Sequence, residues 1–372
     1  MSPNIELKKL FEPITIGKME LRNRIVMPAM CTKLPSEFGA VTDRLIDFYV
    51  ERAKNGVAVI VVENTCVDWP TGKAAQNPLR IDDDKFIMGF NELAEAVHRY
   101  GAKIASQPQH TGRQNSLACS EGEQLVSASE VPCFKTGGDI PRALTIEEID
   151  EKVQKFADAA RRTKAAGFDA VEIHGAHGYL ITQFMSPYTN KRTDMYGGSF
   201  ENRMRFPMEI VERVREEVGD DFPIIFRFSA DECVKGGYSI EDGKKIAQSL
   251  ERAGVDALSV SAGIYESMYV IMPPMGVPKG SLVPYAHEIK KVVDIPVVAV
   301  GGLGDPLLAE KILREGKADL VAMGRSLLAD PELPKKAAEG RLDDIRPCIY
   351  CNEGCHGRIF RALRLSCDVN PS

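Results

Sequence analysis

The sequence predicts an α/β protein of the (β/α)8 barrel type, and three observations carry that prediction. Eight short apolar runs recur along the chain. A segment with helical periodicity follows each run, and residues able to do chemistry gather at the C-terminal ends of the runs. The runs cover residues 25–30, 57–63, 103–109, 170–175, 224–229, 257–262, 296–301 and 320–325. They are continuous rather than alternating, as parallel strands buried on both faces require. The intervening stretches are rich in Ala, Lys, Glu and Asp with apolar residues three or four apart. In the one at 146–166, Thr145 followed by Glu148 reads as a capping box. A doubly wound sheet is the competing architecture for such a pattern. In order, the run ends give Met30-Cys31-Thr32, Gln107 with His110, His174 with His177 and Tyr179, Arg227, Gly301-Gly302, and Gly324-Arg325. In a barrel these positions form the catalytic face.

Composition narrows the function classes. A chain of 372 residues with 44% hydrophobic content can bury a full barrel core in one domain. Its net charge is −6 and its basic residues are dispersed, so it has no electrostatic footprint for nucleic acid. The start, Met-Ser-Pro-Asn-Ile-Glu-Leu, has no basic region followed by an apolar run, so no secretory signal is expected. No apolar stretch approaches membrane-spanning length. Nine cysteines is an odd count, and four sit in one metal-type cluster, which disfavours a disulfide framework. The expected location is the cytoplasm.

That cluster comprises Cys348, Cys351, Cys355 and Cys367, separated by two, three and eleven residues. Thiolates crowded this closely repel one another unless a cation holds them. Spacing alone leaves two choices, a tetrahedral zinc or an iron–sulfur cluster. A phosphate site is predicted at the last two runs. The seventh ends in Val-Gly-Gly-Leu-Gly-Asp-Pro (300–306) and the eighth in Met-Gly-Arg-Ser-Leu (323–327). Glycines there let backbone N–H groups approach an anion, a following helix N-terminus would add a favourable dipole, and Arg325 could supply charge. Gly-Gly-Leu-Gly is not the dinucleotide fingerprint, so no Rossmann unit is indicated.

The stretch Val-Glu-Ile-His-Gly-Ala-His-Gly-Tyr from Val171, running on to Tyr-Gly-Gly-Ser-Phe-Glu-Asn-Arg-Met-Arg-Phe206, resembles the Old Yellow Enzyme family of FMN-dependent ene-reductases. It is more similar still to the iron–sulfur branch that includes 2,4-dienoyl-CoA reductase and trimethylamine dehydrogenase. Asn23-Arg-Ile-Val-Met-Pro, the Gln107/His110/Gly112-Arg113 stretch and the terminal cysteines carry the resemblance across the whole chain. It implies a barrel over residues 1–340 and a [4Fe–4S] segment over 341–372, with Cys348, Cys351, Cys355 and Cys367 as ligands. FMN would lie against Pro28, Ala29, Met30, Cys31, Gln107, Arg227, Gly301, Gly302, Gly324 and Arg325. His174 and His177 would hold a substrate carbonyl oxygen and Tyr179 would protonate its α-carbon. Gln107 would meet the flavin pyrimidine edge, and Arg227 would stabilise reduced flavin near N1. A buried arginine in Ile-Ile-Phe-Arg-Phe also demands an anionic partner, which the resemblance assigns to the cofactor.

The implied substrate is an enone, enoate or enoyl-CoA. Electrons would come from NAD(P)H through an FAD domain or reductase subunit, and a homo-oligomer is common in the family. Longer members continue into FAD- and NAD(P)H-binding domains, so the chain is expected to be a barrel module or a short form with a separate reductase. Pro108 and Gln109 replace a more usual apolar or aromatic pair, which suggests altered substrate access. Cys31 occupies a position that is redox-tuning in some relatives and attached to FMN in others. The segment 265–285, with Met268, Met272 and Met275, is expected to line or cover the pocket. Three other readings remain: oxidative N-demethylation of an amine, an electron-carrying subunit, and a Schiff-base aldolase. Trp69 is the single tryptophan for an ammonium cage, amine dehydrogenases carry tyrosine where this chain has His174, and no lysine stands at a run end.

Overall fold

The structure, a computed structural model, describes residues 6–74 and 77–370. Residues 1–5, on which the expectation about a secretory signal partly rests, lie outside the described residues, as do the last two of the cysteine segment. Eight parallel strands form the barrel: β1 (Ile25–Met27), β2 (Val59–Cys66), β3 (Lys103–Gln109), β4 (Ala170–Gly175), β5 (Ile224–Ser229), β6 (Ala257–Ser261), β7 (Val297–Ala299) and β8 (Leu320–Ala322). Each pairs with the next. The pairing of Val321 with Ile25 and of Ala322 with Val26 closes the ring. Closure decides against the doubly wound sheet, which would leave two free edges.

The middle strands match their predicted runs closely, whereas β1, β7 and β8 are only three residues long. Their runs leave the ladder early for physical reasons. Pro28 has no N–H to donate, and Gly301 takes φ +105°, outside any strand conformation. Conversely, β2 continues to Cys66 across a register shift between Val61 and Asn64.

Helices α1 (Asp43–Ala53), α2 (Ile87–His98), α3 (Ile146–Ala165), α4 (Phe200–Val218), α5 (Ile240–Arg252), α6 (Val283–Lys290) and α7 (Pro306–Arg314) follow the first seven strands in turn. The predicted capping box is present at α3: the Thr145 hydroxyl accepts from Glu148 N–H while the Glu148 carboxylate accepts from Thr145 N–H. Two cores result. One, between strands and helices, includes Ile60, Ile104, Ile173 and Phe226 against Phe90, Phe156 and Ile246. The other fills the lower barrel with Val59, Val61, Ala105, Ala170, Ile225, Ala257 and Val298. A hairpin, Ile14–Ile16 with Met19–Leu21, plugs its base through Ile16, Met19 and Leu21. The apolar runs are therefore continuous because alternate residues serve the two cores.

Beyond residue 344 the chain lies against the C-terminal face of the barrel. Leu365 N–H donates to Thr32 O at 2.9 Å, and Asn370 Nδ2 to Leu328 O at 3.0 Å. Among the described residues, no helix is long and apolar enough to cross a membrane.

Candidate active site

A cavity of about 490 Å³ opens where the strands end, lined by Pro28, Ala29, Met30 and Cys31 from the β1 end, Gln107, His174, His177, Tyr179 and Arg227. The period-two geometry of strands builds it. Along β4, Ala170 packs in the lower core, Glu172 lies above it, and His174 lines the cavity. On β5, Ile225 and then Arg227 repeat the pattern, with Arg227 the register partner of His174. Polar residues from the inward rows thus reach the cavity at the barrel mouth.

His174 lies within β4 rather than beyond its end. Its Nδ1 accepts from Ala176 N–H at 3.2 Å, so the neutral ring carries its proton on Nε2. His177 sits in the left-handed region at φ +61°, its N–H donating to Ser229 Oγ at 3.0 Å and its Nε2 paired with Ser261 Oγ at 2.9 Å. Burial, reinforced by the nearby Arg227 charge, pushes both histidines well below the usual imidazole range, so both rings are uncharged. The His174 ring centroid lies 5.1 Å from that of His177 and 4.8 Å from that of Tyr179. Burial pushes the Tyr179 phenol up to about 12, against a hydrogen bond from Tyr265 that lowers it. The two hydroxyls are 3.0 Å apart.

Below these rings, Gln107 Nε2 donates to Glu172 Oε1 at 2.6 Å, which leaves Gln107 Oε1 as an acceptor. Arg227 is buried and its Nε has no hydrogen-bond partner among the described residues. Burial pushes the Arg227 guanidinium below its ordinary range, against the nearby Glu172 charge, which raises it. Burial and the Glu63 carboxylate push the Cys31 thiol up to about 12, which keeps it un-ionised and a poor nucleophile. Lys33, buried and pushed down by that burial, also lines the cavity, so a lysine is present there although none stands at a strand end.

Gly301, Gly302, Gly324 and Arg325 line the same cavity on the β7–β8 side. At Gly304, also in the lining, an added Cβ would fall 2.4 Å from Ser326 Cβ. The segment after β8 is a five-residue turn of helix, Arg325–Ala329, and α7 is already capped by the Asp305 carboxylate. Arg325 Nη1 donates to Pro273 O at 2.8 Å and Asn352 Oδ1 at 2.6 Å, and its guanidinium lies 4.7 Å from the Tyr350 ring centre.

Cys348, Cys351, Cys355 and Cys367 all border a second cavity of about 20 Å³, and Arg325, Leu328 and Cys355 border both cavities. Tyr350 N–H points at Cys348 Sγ at 3.4 Å, and Cys351 Sγ donates to Asp368 Oδ2 at 2.9 Å. Among the described residues, no group of three or more His, Cys, Asp or Glu is arranged to hold a metal ion.

Some expectations are corrected. His110 does not line the cavity; its Nε2 pairs with Asp68 Oδ2 at 3.2 Å, beside Lys152 and Lys155 on the same carboxylate. Pro108 and Gln109 are also absent from the lining, and Gln109 Oε1 accepts from Asn64 Nδ2 at 3.3 Å. Trp69 lies away from the cavity between Lys73 and Arg80, each 4.4 Å from its ring centre. Of the methionine-rich segment, Met268 and Met272 line the cavity while Met275 is exposed. The sequence reading missed Asn64, Glu172 and Ser261, whereas Tyr265, at the start of the segment expected to line the pocket, does line it. Counting in twos back from His174 would have found Glu172. Asn64 could not be found that way, because the β2 register shift places it in the cavity lining.

Comparison with known proteins agrees with this geometry. The family described as NADH:flavin oxidoreductase / NADH oxidase matches residues 9–344. An NADH oxidase from Thermoanaerobacter brockii is 59% identical over 363 residues, covering 97% of this chain and 56% of that protein. A cinnamate reductase from Clostridium sporogenes is 40% identical over 386 residues, covering 99% of this chain and 58% of the relative. The solved structure of a 2-naphthoyl-CoA reductase in complex with 2-naphthoyl-CoA superimposes with a TM-score of 0.94 at 33% identity, over 98% of this chain and 57% of the other. The chain thus spans little more than half the length of these relatives.

Proposed function

The chain belongs to the NADH:flavin oxidoreductase / NADH oxidase family, and from that membership we propose that it is an FMN-dependent ene-reductase acting on an α,β-unsaturated carbonyl, carboxylate or CoA thioester. The observation that carries this reading is the convergence of His174, His177 and Tyr179 in the cavity that also contains Gln107, Arg227 and the glycines after β7 and β8. The cavity fits FMN: its volume is that of a cofactor site, and it offers a buried arginine with an unpaired Nε and a glycine-rich rim. When bound, FMN supplies hydride from N5 to the substrate β-carbon. The chain's own residues do the rest. Uncharged His174 and His177 donate to the carbonyl oxygen as enolate charge develops, and Tyr179 gives its proton to the α-carbon. Gln107, oriented by Glu172, offers its carbonyl to a ring N–H, and Arg227 supports negative charge. Gly301, Gly302, Gly324 and Arg325 would hold the phosphate.

A [4Fe–4S] cluster on Cys348, Cys351, Cys355 and Cys367 belongs to the same proposal, supported by four thiols around one cavity that shares Arg325, Leu328 and Cys355 with the larger one. Such a cluster supplies one-electron transfer when bound. NAD(P)H would be the ultimate donor through an FAD-containing domain or partner, residues 1–340 being the barrel and 341–372 the cluster segment of a cytoplasmic enzyme.

The deciding experiment is an anaerobic absorption spectrum with flavin and iron quantified, followed by mixing the reduced protein with cyclohexenone, cinnamate and cinnamoyl-CoA. One flavin and about four irons per chain, with flavin re-oxidised by at least one of these compounds, are expected. A flavin-free protein, or reduced flavin inert to all three, refutes the ene-reductase reading. Cys348→Ala should lose the iron and keep the flavin; full iron content in that variant removes Cys348 from the ligand set.

A further inference from the structure

We propose that Tyr265 is a positioning residue for proton delivery, donating a hydrogen bond to the Tyr179 oxygen so that the phenolate left after protonation of the substrate is stabilised. The inference rests on the ene-reductase reading and adds to it a residue contributed by the loop after β6. The Tyr179 and Tyr265 hydroxyls are 3.0 Å apart, their rings meet edge-on at 5.8 Å, and both line the cavity.

The residues flanking Tyr265 are anchored separately. Ile264 is bridged in parallel fashion to His177. Glu266 Oε1 accepts from Arg113 Nη2 at 2.5 Å, and the fully buried Arg113 is itself fixed by Nη1 donating to Pro132 O at 2.6 Å. Ser267 Oγ donates to Glu232 O at 2.7 Å and accepts from Ile264 N–H at 2.9 Å. A tyrosine held on both sides has little freedom to lose when its hydroxyl is used, so it is preorganised rather than recruited. Such an investment of buried polar groups around one side chain is costly unless its position matters.

The direction of the hydrogen bond follows from the chemistry. When Tyr179 surrenders its proton, the O–H bond breaks, the α-carbon C–H bond forms, and the electron pair stays on the Tyr179 oxygen. That oxygen can then only accept, so Tyr265 must donate. Burial holds Tyr265 well above the ordinary phenol range, so it keeps its own proton. Water entering the cavity returns a proton to Tyr179, and Tyr265 ends unchanged.

The test compares two acceptors in single-turnover re-oxidation of chemically reduced holoenzyme. One is whichever of cyclohexenone, cinnamate or cinnamoyl-CoA the wild type reduces. The other is nitrocyclohexene, whose hydride adduct is a nitronate that leaves without needing carbon protonation. Tyr265→Phe should slow the carbonyl acceptor about tenfold to a hundredfold, the span expected for a hydrogen bond to a charged group, and leave nitrocyclohexene within about twofold. Unchanged rates with both acceptors overturn the proposal. Equal slowing of both overturns it as well, since a general disturbance of the site would do that. A wild type inert to every carbonyl acceptor takes down the ene-reductase reading and this inference with it. An active wild type with an indifferent variant removes Tyr265 alone.

Discussion

His174 can act as a donor because its other nitrogen is already engaged. With Nδ1 accepting from Ala176 N–H and the ring held neutral by burial and Arg227, Nε2 alone carries the proton. A neutral imidazole gives a directed hydrogen bond without placing a second full charge beside Arg227. His174→Ala should therefore keep its flavin while losing on the order of 10²–10³ in the rate of carbonyl-acceptor reduction, about 2.7–4 kcal/mol, as for other oxyanion-hole donors. Flavin content and single-turnover rate on the same sample check this; an undiminished rate excludes His174 from the mechanism. The Cys31 thiol, by contrast, is held un-ionised by burial and by Glu63.

At the scale of elements, the strand-to-loop junctions shape the site, and the helices hold those junctions still. Gly178, at φ +81°, follows His177, also left-handed, and a Cβ there would fall 2.1 Å from Gln114 Nε2. The β4 loop can therefore turn both His177 and Tyr179 into the cavity only with glycine at that position. Helix α3 braces β3 and β4 from outside, its start fixed by the reciprocal Thr145–Glu148 bonds. Thr145→Ala should cost about 1 kcal/mol of unfolding free energy, the usual worth of such a cap, with substrate chemistry unaffected. Urea titration measures the first effect and single-turnover rates the second; no loss of stability would mean the cap is redundant here.

For the molecule as a whole, pH acts through buried acids between the barrel and its loops. Glu63 accepts from the Thr32 backbone N–H at 3.1 Å and from the Thr32 hydroxyl, while its second oxygen has no partner. Burial pushes it up to about 7, above its ordinary value of 4.5. An acid raised in the folded state favours folding most below its unfolded pKa, and that contribution is lost as pH rises through the folded one. Between about pH 4.5 and 7, wild type should therefore lose stability relative to Glu63→Gln. The shift amounts to up to about 3 kcal/mol at about 1.4 kcal/mol per pKa unit. Denaturant titrations of both proteins at pH 5 and pH 8 check it; a pH-independent difference would show that Glu63 does not titrate in this window.

The sequence by itself determined the barrel, because eight buried strands each imposed a local apolar run and each following helix its own period. It also located His174, His177, Tyr179, Gln107 and Arg227 at the mouth, since strand ends in such a barrel converge wherever they lie in the chain. Tertiary structure decided the rest. Glu172 proved to hold the Gln107 amide, Asn64 joined the cavity lining through a register shift, and His110, read as a site residue, turned instead to Asp68. Tyr265 meets Tyr179 across 86 residues of chain. Local patterns encode which face of an element is buried; they do not encode which buried polar group meets which, because that depends on contacts between strands and loops distant in the chain.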